Sequence, residues 1–298
     1  MRSPAIASVV LAALVVAGCG ASSPSVAPGA SAQPPTPVIP SESPSGGVVG
    51  DAYWLRLTTA QAIPPLDQFP VGPTALITGD SQYLLPGAVP AIYPGPLVYP
   101  YFASEVSETG RDRILAWADE LGLLSGQVDF SGSGGLPGGI TGIVELTVEG
   151  SRITLRGIPD STEGGDPGSP AAFAEFWRRV AGLPTTLAGE LGPEQPWTPD
   201  GYAILVGPPP QAEGGLGGDI ADWPLDEPLG SIGSEVGDGY RCAVVTGEDA
   251  ATLAPALGAA NQLTQWVQDP DTSATFGLTV RSVAIDEDPC REVFGVGS

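Results

Sequence analysis

The chain has 298 residues, enough for one large domain or two small ones. Its 34 acidic residues outnumber 11 basic ones, all of them arginine, and the net charge is −23. This charge excludes nucleic acid as a partner, because affinity for nucleic acid comes mostly from cation–phosphate contacts. The sequence has neither His nor Lys. It therefore lacks Ser-His-Asp and Cys-His nucleophiles, the histidine helix of zinc proteases, the phosphate-loop lysine and Schiff-base chemistry.

A short apolar segment opens the chain. Residues 4–17 follow Met1-Arg2 and are apolar except for Ser8. This stretch is too short to cross about 30 Å of hydrocarbon as a helix, but it matches the apolar region of a signal peptide. It predicts a leader that directs the chain out of the cytoplasm.

The leader ends in Val16-Ala17-Gly18-Cys19. This motif resembles the lipobox of bacterial prolipoproteins, in which an apolar residue and two small ones precede the cysteine. The resemblance implies removal of residues 1–18, a diacylglyceryl group on the Cys19 sulfur, fatty acylation (palmitate) and anchorage to the outer side of a membrane. The Gly- and Pro-rich, lysine-free composition also resembles envelope lipoproteins of high-GC bacteria, a resemblance that implies no particular activity.

A tether is predicted over residues 19–50. Between Gly20 and Gly50 the chain has seven Pro, seven Ser and a single charged residue, Glu42. Such a composition cannot bury enough apolar surface to offset the chain entropy. At about 3.1 Å per residue in an extended polyproline conformation, the segment could reach up to ~95 Å.

An N-terminal α+β unit is predicted over residues 51–196. Residues 53–57 form a strand pattern, and hairpins are expected at 75–85 and 143–156. One helix is expected to end before Gly122. Another begins at Ser169-Pro170, an N-cap followed by a first-turn proline. Its predicted buried stripe is Phe173, Phe176, Trp177 and Val180.

A C-terminal α+β unit is predicted over residues 197–298, either as a separate domain or as one domain with the first. Strands are expected at 202–206, 240–245 and 275–285, with a helix that opens at 246–249 and is kinked or restarted by Pro255. Residues 207–239 are expected to form a long surface loop. The alternating strands predict an α+β fold of mostly antiparallel sheets, built from hairpin–helix units, with helices packed on one face.

Two cysteines remain once Cys19 is lipidated. Cys242 and Cys290 form a predicted disulfide, because paired cysteines in an exported chain are normally oxidised. A zinc site would need further ligands, and the chain has no His and no third thiol. No metal site and no cofactor are predicted.

Carboxylates are the remaining candidates for chemistry. A glycosidase needs two acids about 5 to 9.5 Å apart, and clustered oxygens also suit Ca²⁺, although no EF-hand spacing is present. With 34 acids, some pairs arise by chance. The clusters are Asp219, Asp222, Asp226 and Glu227, and then Asp286, Glu287 and Asp288.

One uncharged aromatic–proline strip runs from Ile92 to Phe102. Aromatic residues are enriched at interfaces, which makes the strip a candidate interaction surface. The strip could equally be a non-helical segment draped over the core. Its aromatic members are Tyr93, Tyr99, Tyr101 and Phe102.

Three functions are compatible with these patterns. The first is a non-enzymatic module that binds a protein, a glycan or a small ligand at the cell envelope. The second is a carboxylate-dependent hydrolase of envelope polysaccharide, which requires a cleft with two converging acids. The third is a structural subunit for assembly or inhibition, which a large apolar patch near the strip would favour.

Overall fold

The computed structural model describes residues 53–61, 63–89, 91–125, 129–130, 139–210, 218–268, 274–284 and 287–297. All of them fall within one compact unit. Cys19, the leader and the predicted tether lie outside the described residues. The predicted α+β fold with mostly antiparallel sheets is confirmed.

The first sheet has seven antiparallel strands in the order β6-β5-β1-β2-β3-β4-β7. Its strands are β1 (Tyr53–Ala60), β2 (Ala75–Thr78), β3 (Gln82–Pro86), β4 (Tyr101–Glu105), β5 (Thr141–Val148), β6 (Ser151–Gly157) and β7 (Gln195–Pro196).

The second sheet has six strands in the order β10-β11-β8-β13-β12-β9, and only the β12–β9 pair is parallel. Its strands are β8 (Gly201–Gly207), β9 (Ile220–Asp222), β10 (Ser234–Gly237), β11 (Tyr240–Thr246), β12 (Gln265–Val267) and β13 (Thr275–Val283).

Six helices lie within the described residues. They are α1 (Pro65–Gln68), α2 (Glu108–Glu120), α3 (Pro170–Ala181), α4 (Leu183–Thr186), α5 (Gly247–Ala259) and α6 (Pro289–Phe294).

Local signals in the sequence are reproduced at the β5–β6 turn, at the end of α2 and at the start of α3. Glu149 and Gly150 have φ values of 50° and 74°, the paired left-handed conformation of a two-residue hairpin turn. Gly122 has a φ of 67° just beyond α2. The Ser169 hydroxyl accepts a hydrogen bond from the Ala172 N–H at 3.3 Å, as an N-cap should.

Helices α2, α3 and α4 bury one face of the first sheet. The predicted stripe of α3 is buried in full and packs in one cluster with Leu55, Val144 and Leu155. Gly142 and Gly157 allow α3 to pack close to the sheet. A Cβ added at Gly142 would collide with the Trp177 ring, and one added at Gly157 would collide with the Phe173 ring.

The second sheet carries a core on each face. Helix α5 covers one face through Ala250, Leu253 and Leu257, and it continues through Pro255 without restarting. The other face packs against α1 and α6 residues that include Leu66 and Phe294.

The prediction of a surface loop over 207–239 is wrong for the described part of that segment. It contains β9 and β10, and several of its side chains are buried in the core beside α5. These apolar residues are spaced irregularly between Gly, Pro and acids, so no strand or helix period shows in the sequence. They are Trp223, Leu225, Leu229 and Ile232.

Candidate functional site

The aromatic–proline strip lies on a closed loop between β3 and β4, except for its last two residues, Tyr101 and Phe102, which begin β4. These strands pair at Pro86 and Tyr101, and the Gly87 N–H donates a hydrogen bond to the Pro100 carbonyl at 2.7 Å. The loop over 87–100 therefore leaves and rejoins the sheet at one point, as Ω-loops do. We call it the strip loop.

The middle of the strip loop is fastened to the segment after α5. Leu97 is buried, and its N–H donates to the Ala260 carbonyl at 3.2 Å. The Gln262 N–H donates to the Gly95 carbonyl at 3.0 Å, and its side-chain oxygen accepts from the Gly95 N–H at 3.2 Å. The Gln262 amide also donates to the Tyr99 hydroxyl at 3.2 Å. These contacts hold Gly95, Leu97 and Tyr99 in place, while the neighbouring Ile92 and Tyr93 stay exposed.

An apolar groove of about 360 Å³ opens beside this loop. Its lining contains no charged side chain, and three prolines and two tyrosines contribute to it. One wall is the segment 70–74 between α1 and β2, and the other comes from the end of β3 and from the strip loop. The lining residues are Pro70, Val71, Gly72, Pro73, Thr74, Pro86, Gly87, Val89, Tyr99 and Tyr101.

Tyr101 is held in this groove by two neighbours. Its ring meets Trp197 edge-on, with centroids 5.9 Å apart. Its hydroxyl lies so close to Gly72 that a Cβ added there would collide with it. Burial raises the pKa of the Tyr101 phenol above its ordinary value, while the nearby Arg281 guanidinium acts in the opposite direction. The groove thus presents Tyr101 as a neutral phenol.

The four aromatic residues predicted from the strip do not act as one surface. Tyr99 and Tyr101 line the groove, whereas Tyr93 stands outside it with 58% of its surface exposed. Phe102 follows Tyr101 in β4, so its side chain points to the opposite face and lines a separate cavity of about 200 Å³.

The acids singled out from the sequence do not converge among the residues that the structure describes. Asp219, Asp222, Asp226 and Glu227 are all exposed. Asp288 caps α6, where its carboxylate accepts from the Arg291 N–H at 3.1 Å. Asp286 lies outside the described residues. Glu287 is buried, but it is paired with arginines.

The sequence reasoning missed a polar cleft of about 500 Å³ between the β2–β3 turn and α2. The Arg111 guanidinium lies 4.7 Å from the Trp54 ring centre and donates to the Ser81 hydroxyl at 3.1 Å. Four carboxylates surround the cleft, and every one is exposed to solvent: Asp80, Glu105, Glu108 and Asp112. These carboxylates come from three separate segments of the chain, so no local sequence motif predicts the cleft.

A buried ion network was also missed. Glu287 accepts from Arg281 at 2.9 Å and lies 3.6 Å from Arg56. Arg56 also forms a two-pronged pair with Glu292, at 3.0 and 2.5 Å, and reaches Glu145 at 3.5 Å. The network joins β1 of the first sheet to β13 of the second sheet and to α6.

The predicted disulfide is present between Cys242 of β11 and Cys290 of α6, with Cα atoms 5.7 Å apart. Both half-cystines are fully buried. The bond fastens α6 to the second sheet, beside the ion network.

No group of three or more acidic or thiol ligands among the described residues is arranged to hold a metal ion. The helices found in this part of the chain are all too short or too polar to cross a membrane. Comparisons of the chain with protein-family models, with curated proteins and with solved structures find no match.

Proposed function

We propose that this chain is a lipid-anchored, extracytoplasmic binding module without enzymatic activity. The lipobox-like motif at Cys19 supports the anchor, and the Pro- and Ser-rich segment that follows supports a tether. The groove beside the strip loop is the proposed binding site. A concave, mostly apolar pocket with a few polar groups is the usual form of a ligand site.

One observation carries the choice of ligand: the groove is uncharged and lined by proline and tyrosine on a chain of net charge −23. The part of a ligand that lies in this groove is therefore expected to be uncharged. Grooves with aromatic walls bind extended, proline-containing peptides, whose preformed conformation loses little entropy on binding. We therefore propose an extended proline-containing segment of an envelope protein as the ligand.

Decaproline is the probe for this site. Calorimetric titration is expected to show binding to the wild-type chain and about fivefold weaker binding to Tyr99→Ala, since loss of one aromatic contact costs roughly 1 kcal/mol. Tyr93→Ala is the matched control, because Tyr93 is exposed but lies outside the groove. Failure of decaproline to bind the wild type, or equal loss in both variants, would reject the proposed ligand.

The anchor is tested separately by Cys19→Ser. The native protein is expected to partition into a detergent phase and to carry the added mass of its acyl chains, because two buried chains give stable membrane attachment. The serine variant is expected to lack this added mass, because it has no thiol to acylate. Ser22→Ala, three residues further on, should behave as the wild type. A native protein that begins at Met1, or that has an unmodified thiol at Cys19, would contradict the proposed anchor.

The two other hypotheses have less support. A carboxylate hydrolase needs an acid whose pKa is raised by burial or a like charge, and the acids around the polar cleft are all exposed. An assembly or inhibitor subunit would need a large apolar patch, whereas the apolar surface near the strip is a groove and a narrow loop tip.

A further inference from the structure

The exposed apolar side chains of this protein are unevenly distributed. The described residues contain six large hydrophobic side chains that are strongly exposed. Four of them lie on the strip loop or on the groove wall opposite it: Ile92 at 66%, Tyr93 at 58%, Val71 at 44% and Tyr99 at 40%. The outer part of the strip loop thus presents aliphatic and tyrosine side chains to solvent.

This region is also nearly free of charge. Residues 81–104 contain no charged side chain, and Asp80 is the only one between Gln68 and Ser104. Asp80 stands in the β2–β3 turn, at the opposite end of these strands from the groove. On the other elements near the strip loop, Arg281 is buried and ion-paired, whereas two carboxylates are exposed: Asp67 of α1, and Asp219, whose carbonyl accepts a hydrogen bond from the Gln265 N–H in the segment after α5.

We propose that the tip of the strip loop, Ile92-Tyr93, inserts into the headgroup–acyl boundary of the bilayer to which Cys19 moors the chain. The inference rests on the proposed anchor and goes beyond the proposed ligand. Tyrosine and aliphatic side chains favour this boundary, where the ring is buried and the hydroxyl stays hydrated. The contact sets which side of the domain faces the membrane.

The charge distribution favours the strip loop as the side of the domain that faces the bilayer. A chain of net charge −23 is repelled by an anionic lipid surface over most of its area. The uncharged strip loop is the part that can approach the bilayer without that repulsion. The same acidic surface opposes any other docking orientation.

The size of the patch favours a bilayer over a protein partner. A stable protein interface buries about 1,200 Å² or more, and a few exposed side chains on one loop provide far less. A weak contact is enough at the bilayer, because a covalent tether keeps the local concentration of lipid high.

The test uses vesicles to which the protein is attached by chemical coupling of Cys19 to a lipid. The chain from Cys19 onward has one free thiol, since Cys242 and Cys290 form the disulfide. This thiol is coupled to a maleimide lipid in phosphatidylcholine–phosphatidylglycerol vesicles whose acyl chains are brominated, and tryptophan fluorescence is recorded. The experiment does not depend on native lipidation, because the lipid is attached chemically. A negative result would therefore count against insertion of the loop and would not bear on the proposed anchor.

Ile92→Trp and Ile220→Trp are matched variants, because the two isoleucines are 66% and 67% exposed, one on the strip loop and the other on β9. We expect bromine to quench the added fluorescence of Ile92→Trp and to leave that of Ile220→Trp unchanged. Adding Tyr93→Glu to Ile92→Trp is expected to abolish the quenching. Equal quenching at both positions, or none at Ile92→Trp, would overturn the proposal. A spectral shift of Ile92→Trp that depends on protein concentration without lipid would assign the tip to self-association and overturn it as well.

Discussion

Glu287→Gln is expected to lower the free energy of unfolding by about 3–5 kcal/mol, the usual cost of breaking a buried ion pair from one side. The Glu287 side chain is 2% exposed, and one of its oxygens faces Arg281 and Arg56. The other accepts from the Ala284 N–H at 2.9 Å. A glutamine has one acceptor oxygen, so its NH₂ group would face a guanidinium or a backbone N–H. Urea unfolding measures the loss.

Glu175→Gln is the control for this substitution, since it removes the same charge at the surface. Glu175 accepts from Arg179 at 2.9 Å on α3, and 35% of its side chain is exposed. The hydrogen bond from Arg179 holds the pKa of Glu175 below its ordinary value. The control should cost less than about 1 kcal/mol, because solvent screens exposed pairs. Similar unfolding midpoints for the two variants would show that the buried network contributes no more than a surface pair.

Loss of the disulfide is expected to cost about 4 kcal/mol, through the entropy that the unfolded chain regains when its closed loop opens. The bond spans a sequence separation of 48 residues and fastens α6 to β11. Because Glu292 lies on α6 and Glu287 just before it, a loosened α6 also weakens the hold of both carboxylates on Arg56. The double Cys242→Ala, Cys290→Ala variant avoids placing buried hydroxyls, and its urea midpoint is compared with that of the oxidised wild type.

Cys19, which lies outside the described residues, serves as the control for this second prediction. Cys19→Ser removes the remaining cysteine and should leave the unfolding midpoint of the domain unchanged. Reduction of the wild type should reproduce the double variant. If the oxidised and reduced proteins unfolded at the same urea concentration, the disulfide would have no part in stabilising α6.

Features that depend on neighbouring residues were predicted well from the sequence. The hairpin at Glu149-Gly150 follows from turn chemistry, and the cap at Ser169 follows from side-chain hydrogen bonding to the next turn. The buried stripe of α3 follows from helical periodicity. Each of these signals is contained within a few residues of chain, so distant parts of the fold do not have to be known.

The candidate site was predicted only in part. The strip was recognisable because an uncharged run of aromatic residues and prolines is unusual in an acidic chain. The division of the strip between two faces was not recognisable. Tyr99 and Tyr101 line the groove only together with the segment 70–74, and no sequence pattern connects that segment to them. Phe102 was grouped with Tyr101, although the alternation of a strand sends the two side chains to opposite faces.

The sequence by itself determined the secondary structure of the clearest elements, the α+β class and the pairing of Cys242 with Cys290, because periodicity, turn residues and cysteine count are local or countable. Only the tertiary structure decided which strands share a sheet, where the groove opens and why Arg56 is buried. Arg56 meets Glu292 across a sequence separation of 236 residues. No local pattern records such a contact, since it arises when the C-terminal segment folds back over a sheet face that alternation alone would assign to solvent.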